Sequence, residues 1–440
     1  MSQTEYAIRK TAIHLLRGGK TPTEVAEELN RSRVWVYKWR ERFFAQGDWQ
    51  ALQDQSRAPK HAPQKLPEAV RQAIRQARSE LEAEAAEPGK LSYIDAQAVS
   101  ARLRKKPVWP QPSLSSIERE LRAAGMIHPA KPKESLEVLY PHLHPTRPLQ
   151  LIQIDIVPHY LPGGPCVACF NAIDVVSHYP TGQQSLTKRS QDAASFLVHV
   201  WQEIGIPEFT QVDNEGCFSG GFTHPGVLGK VLRLALLVGT QLIFSPIRHP
   251  ESNGTIERFH QDYSKNVWDK IELPDLQAVQ QHSPGFFTAY RQSEHHSALQ
   301  GRSPAELHPP APVSRLPIDL RLPDPLPLTS GQVHFMRRVD QASQVMILNM
   351  DWPVPCVQPD QGVWATIEFR VEGATLRIFD AAPDVLVRTC LAEHPFPLKQ
   401  EVQPLAQEYQ RPVEVGLPGL LRSVVDSVMS RFFGRVLAML

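Results

Sequence analysis

Cysteine is scarce in this chain: Cys166, Cys169, Cys217, Cys356 and Cys390 are the only five in 440 residues. So few thiols over such a length exclude a disulfide framework, and a cytosolic setting keeps them reduced. An excess of one charge is also missing. Lys and Arg number 47 against 46 Asp and Glu, a net charge of +1, so a polyanionic partner has to be met by local patches and not by the whole surface. No apolar stretch follows a basic start as in a secretory leader, and no run is apolar enough to cross a bilayer with comfort. A soluble cytoplasmic protein with no membrane partner is expected. With 42% apolar and 21% charged residues the chain is globular in composition, and its length exceeds one compact core.

Proline is what the chain has in plenty. Its 40 residues gather at 107–112, 141–148 and 304–327, which read as extended linkers or turns between folded units. The expected modules are residues 1–55, 64–135, 149–306 and 328–396, followed by a tail at 413–440.

In the first module apolar residues recur at helical spacing from Glu5 to Leu16, Gly18 and Gly19 stop the run, and Thr21-Pro22-Thr23 opens a second helix. Ser32 can cap a third helix that stops near Gly47. Two short helices and a basic third one suit a helix-turn-helix. Arg31, Arg33, Lys38 and Arg40 are candidates for phosphates or base edges, and Trp35 and Tyr37 for stacking, while Val34, Val36 and Trp39 are expected in the core. The competing reading is a helical protein-protein module with a solvated basic face. Residues 64–135 predict further helices at 67–86, 96–103 and 113–124, with Arg102, Arg104, Lys105 and Lys106 between the last two, as in a second helical DNA-binding module, with or without a wing.

After the proline-rich joint, Leu149 to Val157 reads as a strand with one acid, Asp155, among apolar neighbours. Strands at 166–174 and 179–186, a helix at 191–204, a strand at 209–213 ending on Asp213, a helix at 227–237 and a strand at 241–244 follow. A last helix carries Glu257, then Lys265. Cys166-Val167-Ala168-Cys169 has zinc-like spacing, but no second pair completes a tetrahedral site and the two thiols of a strand so spaced face opposite ways. His295-His296 is read as a surface or packing pair.

These residues resemble a known family, the transposases and integrases with a retroviral-integrase-type core, in particular bacterial members with a helix-turn-helix. The likeness rests on Gln153-Ile154-Asp155, on Ile173 to Pro180, on Val212-Asp213-Asn214 with Phe218, on Ser245-Pro246 through Pro250, Asn253-Gly254 and Glu257-Arg258-Phe259-His260, and on His296 to Ala305. It covers residues 149–306 well and the flanks only in module type.

The resemblance implies a multidomain chain: an all-α N-terminal helix-turn-helix, a central α/β ribonuclease H-like core, and a C-terminal part. It implies a DDE-type polynucleotidyl transferase in which Asp155, Asp213 and Glu257 form the catalytic triad and hold a pair of Mg²⁺ ions, with Mn²⁺ able to substitute. Asp174 falls on a second-strand acid that is not normally a ligand. Two departures stand out. Asp213 and Glu257 lie 44 positions apart, longer than is common, with the extra residues expected around Gly220 to Pro225, and Glu215 occupies a place where a small residue is usual. Implied partners are DNA, as element ends and target, and further copies of the chain assembled on it, in the nucleoid. Lys265 is a candidate contact to the DNA end.

Short apolar runs at 333–336, 344–348, 363–369 and 375–379, separated by turns, predict a small β-barrel over 328–396. The tail is amphipathic at helical spacing, with Leu421, Val425, Val428, Phe432 and Val436 opposed to Arg422, Asp426 and Ser430, and is expected to dock on another copy or an accessory transposition protein. Two further functions stay open at this stage: a catalytically silent DNA-binding protein of the same fold, and a plain ribonuclease H-like nuclease.

Overall fold

The computed structural model describes residues 3–54, 66–91, 93–127, 140–220, 225–247, 250–294, 296–309, 315–355 and 357–405. The tail at 413–440 and part of the expected insertion, 221–224, lie outside these residues. Two compact units make up the chain, Met1–Lys65 and Leu66–Leu440.

The first unit holds α1 (Gln3–Arg17), α2 (Pro22–Glu28) and α3 (Arg33–Gln46). Local chemistry sets each boundary. Thr21 and Glu24 form a capping box at the start of α2, with proline in its first turn, which satisfies backbone donors that a helix leaves open. Ser32 accepts from the Trp35 N–H to open α3, and Gly47, at φ 68°, closes it in the left-handed conformation. Ala12, Ile13, Val25, Val36, Trp39, Phe43 and Leu52 fill the interior. Val34, expected there, is instead 77% exposed: it comes before the buried positions Val36, Trp39 and Phe43 of α3, over half a helical turn from the first of them, and points outward.

The second unit opens with α4 (Glu68–Ala85), α5 (Ala96–Arg104) and α6 (Leu114–Ala123), packed through Val70, Ile74, Val99, Leu103, Ile117 and Leu121. Much of the basic run expected to face DNA is engaged within the chain. Arg102 pairs with Glu84 at 2.5 Å, Lys106 with Glu80 at 2.7 Å and Lys105 with Glu294 at 3.5 Å.

The sheet that follows is built from β1 (Leu151–Tyr160), β2 (Cys166–Asp174) and β3 (Pro180–Ser185), then β4 (Phe209–Val212) and β5 (Gln241–Phe244). Between them come α7 (Ser190–Glu203), the short α8 (Gly216–Ser219) and α9 (Lys230–Val238), and after them α10 (Gly254–Tyr263) and α11 (Leu276–Gln292). β1, β2 and β3 are antiparallel neighbours, while β4 and β5 join β1 in parallel. At Gly182 an added Cβ would lie 2.5 Å from the Phe287 ring, so glycine lets α11 seat on β3.

The C-terminal strands correct one expectation. β6 (Gly331–Arg338), β9 (Gly362–Arg370), β10 (Gly373–Phe379) and β11 (Cys390–Phe396) extend this same sheet, and only β7 (Gln344–Ile347) and β8 (Met350–Pro353) form a separate hairpin. The order is β11-β10-β9-β6-β5-β4-β1-β2-β3, with β6 parallel to β5. A small barrel of its own over 328–396 is therefore not what these strands make. Burial follows the sheet: Phe335, Ile367 and Ile378 share one apolar core with Ile152, Phe170 and Phe244.

Candidate active site

The parallel register of β1 and β4 sets Gln153 opposite Gln211. Side chains two residues apart on a strand share a face, so Asp155 and Asp213 come level where β4 ends. The two glutamines reach past the sheet. Gln153 donates to the Ser252 carbonyl at 3.1 Å and accepts from the Ile256 N–H at 3.2 Å, while Gln211 donates to Ser252 O at 3.2 Å and to Asn253 Oδ1 at 2.6 Å. Ser245 adds a bond to Asn253 Oδ1 at 2.9 Å. The first turn of a helix leaves N–H groups without internal partners, and here a strand side chain takes one of them. The consequence is that α10, with half-buried Glu257 in its first turn, is tied to both aspartate strands.

Electrostatics brings the acids together. Burial pushes Asp155 up to about 7, its bond from the Ile156 N–H opposes this, and Asp213, Glu215 and Glu257 push it further up. Asp213 is raised to about 6, first by burial, against its bond from the Glu215 N–H; Glu215 raises it and Lys188 lowers it. Lys188 is itself paired with Glu215 at 2.9 Å. His260 Nδ1 lies 3.7 Å from Asp155 Oδ2, yet burial lowers this imidazole to about 4, so at neutral pH it supplies no counter-charge.

Among the described residues no three His, Cys, Asp or Glu groups stand close enough to hold a metal ion as they are. The chemistry of the donors nonetheless fits one: hard carboxylate oxygens whose neighbours raise the Asp155 carboxyl are what a divalent cation of the Mg²⁺ kind relieves.

The other acid of the core is built differently. Asp174 is fully buried and accepts from the backbone of Leu149 at 2.6 Å, Val176 at 3.1 Å and Ser177 at 2.7 Å, and from the Ser177 hydroxyl at 2.8 Å. It fastens the β2–β3 connection. Cys166 is exposed and Cys169 buried. His295 lies outside the described residues, and His296 is buried against Tyr290 with ring centroids 4.5 Å apart. Lys265 is exposed on the π-helical turn Ser264–Trp268 that continues α10.

In the first unit, Arg33, Tyr37 and Lys38 are exposed on α3, and the Arg40 guanidinium lies 4.9 Å from the Tyr37 ring centre. Arg31 is engaged elsewhere, with Glu5 at 2.6 Å, and Trp35 is half-buried, edge-on to Trp39.

Sequence reasoning missed several groups around the acids. Gln153 and Gln211 had a visible signal, since Gln-aliphatic-Asp occurs at both places. Lys188 had none, and Arg337, which with Arg338, Arg370 and Arg377 reads in the sequence as a basic face for DNA backbone, lies inside instead. Arg337, on β6, is buried, and burial pulls its guanidinium down to about 10.

Comparison with known proteins bears on both ends of this arrangement. A winged helix-turn helix family matches residues 9–72, and an integrase core domain matches residues 238–304. The second match contains Glu257 and does not reach Asp155 or Asp213. Among solved structures, the catalytic core domain of HTLV-2 integrase in complex with magnesium is 15% identical, covering 37% of this chain and 98% of that one at a TM-score of 0.30. The simian T-cell lymphotropic virus intasome, in complex with PP2A regulatory subunit B56 gamma, is 13% identical, covering 70% of this chain and 99% of that one at a TM-score of 0.34. The BIV integrase core is 15% identical, with 36% and 93% covered and a TM-score of 0.27. By these two domain matches the chain carries a winged helix-turn helix within residues 9–72 and an integrase core domain segment within residues 238–304.

Proposed function

We propose that this chain is a DNA transposase or integrase that binds element ends, cleaves their 3′ ends and transfers them into target DNA. The observation that carries this is the convergence on Asp155 of Asp213 and Glu257, acids from separate elements that, with Glu215, raise its charge cost beyond that of burial. Mg²⁺ ions held there, or Mn²⁺ in their place, supply polarisation of the scissile phosphate and activation of the attacking oxygen. Asp155, Asp213 and Glu257 would hold the ions. Gln153 and Gln211 keep the helix of Glu257 against the strands of the two aspartates. The helix-turn-helix presents Arg33, Tyr37, Lys38 and Arg40 to the element end, which selects the DNA that reaches the acids. Joining a pair of ends calls for more than one catalytic centre, so the active form is an assembly of copies on DNA.

The test is direct. Asp155→Asn, Asp213→Asn and Glu257→Gln are each expected to abolish end cleavage and strand transfer with Mg²⁺ while end binding stays nearly intact. Substantial strand transfer by any of the three rejects the triad.

A further inference from the structure

Arg337 stands on β6, beyond the end of the integrase core match at residue 304. It is 8% exposed, and among the described residues no carboxylate lies within ion-pair distance of it. Burying a guanidinium without a counter-ion is costly, so its bonds should tell what it is for. Nε donates to the Met346 carbonyl at 3.0 Å, and Nη1 to Met336 O at 2.9 Å and Ser245 O at 3.3 Å. Nη2 donates to Asn214 Oδ1 at 2.9 Å. Asn214, the neighbour of Asp213, in turn donates to Ser245 O at 2.6 Å.

We infer that Arg337 is a positioning residue for Asp213, acting through Asn214 and the end of β5; this rests on the reading of Asp213 as one of the metal-holding acids. The guanidinium is a rigid planar fork, so it fixes the Ser245 carbonyl and the Asn214 carboxamide at set angles to each other. Ser245 N–H also donates to Val212 O at 2.9 Å. The residues on both sides of Asp213 are thereby held, and Asp213 Oδ1 accepts from the Glu215 N–H at 3.0 Å within the fixed loop. A cavity of about 50 Å³ bounded by Asn214, Phe244, Phe335 and Arg337 adjoins the loop. Packing alone leaves it room to shift. A strand beyond the core match thus braces the loop of Asp213, which itself precedes that match.

The experiment uses the full chain with Arg337→Met and Arg337→Lys, and Asp213→Asn as control. Amide hydrogen exchange without metal is expected to quicken in peptides across 212–219 by about tenfold or more in Arg337→Met, while 254–263 is unchanged. Strand-transfer turnover should fall roughly 10- to 100-fold, the scale of a small misplacement of reacting groups, with KM for DNA unaltered. Arg337→Lys, which keeps charge and loses the fork, should behave likewise, and it carries the test if the methionine variant does not fold. Wild-type exchange or wild-type turnover in the folded variants overturns the inference. So does faster exchange across the whole sheet, which would make Arg337 a general core residue. If Asp213→Asn is inactive and Arg337→Met fully active, this inference alone fails; if Asp213→Asn remains active, the triad reading fails, and the exchange result still decides whether Arg337 holds the loop.

Discussion

A carboxyl group pushed up to about 7, as Asp155 is by burial first and by its acidic neighbours next, carries its charge at a cost under neutral conditions. Its folded pKa is above the unfolded one, so its contribution to stability is present below the ordinary value near 3.8 and is lost as pH rises through about 7. Asp155→Asn should therefore raise the unfolding temperature at pH 8 without metal, by an amount equivalent to roughly 2 kcal/mol or more. The gain should shrink as pH falls toward 4. Added Mg²⁺ should stabilise the wild type more than the variant, since ligand binding to the native state stabilises it. Thermal unfolding at both pH values checks this; a less stable variant at pH 8 would show that the acids do not repel. Each of the candidate acids sits within a motif of the sequence. Lys188 and Glu215 were not legible as a pair, because 27 positions separate them and only the fold brings Lys188 to the loop that Glu215 shares with Asp213.

Helix α3 and strand β6 show what periodicity does and does not reveal at the scale of elements. The start, end and basic character of α3 were readable, and its outward face was not, since Val34 alternates with buried Val36 without belonging to the core. Arg33→Ala is expected to weaken end binding by about 1 to 3 kcal/mol if it makes a bidentate base contact, with unchanged unfolding. Arg31→Ala should instead lower the stability of the three-helix unit through the lost Glu5 pair. Competition binding and thermal unfolding of the two variants separate these outcomes. On β6, fully buried His334 joins three strands: its Nε2 and the Gln241 Oε1 of β5 are 2.8 Å apart, while Nδ1 accepts from Trp364 Nε1–H of β9 at 3.2 Å. Burial first, and Arg388 next, lower it to about 3. A base so depressed contributes stability above its unfolded value near 6.5, and loses it as pH falls toward the folded one. The wild type should lose roughly 2 to 3 kcal/mol between pH 7 and pH 4.5 through this group, and His334→Gln should lose less over the same interval. Equal acid sensitivity of the two proteins in denaturant unfolding would clear His334 of that role.

On the scale of the whole molecule, the order of modules was legible and the partners of the last strands were not. Alternation marks β6, β7, β9 and β10 as strands wherever they pair, but nothing local says that β6 will add in parallel to β5. β11 went unseen because it contains Pro395 and is mostly exposed, a pattern tolerated at an edge. Among the described residues no helix is long and apolar enough to cross a membrane. The shared sheet also orders events in time. β5 ends at Phe244 and β6 begins at Gly331, so a ribosome working at about 5 to 20 residues per second leaves the open edge of β5 waiting for roughly 4 to 17 s. An uncovered strand edge pairs readily with another chain. Newly made copies crowded on one message are thus most at risk of joining edge to edge in that interval, before the strand that will carry Arg337 has left the ribosome.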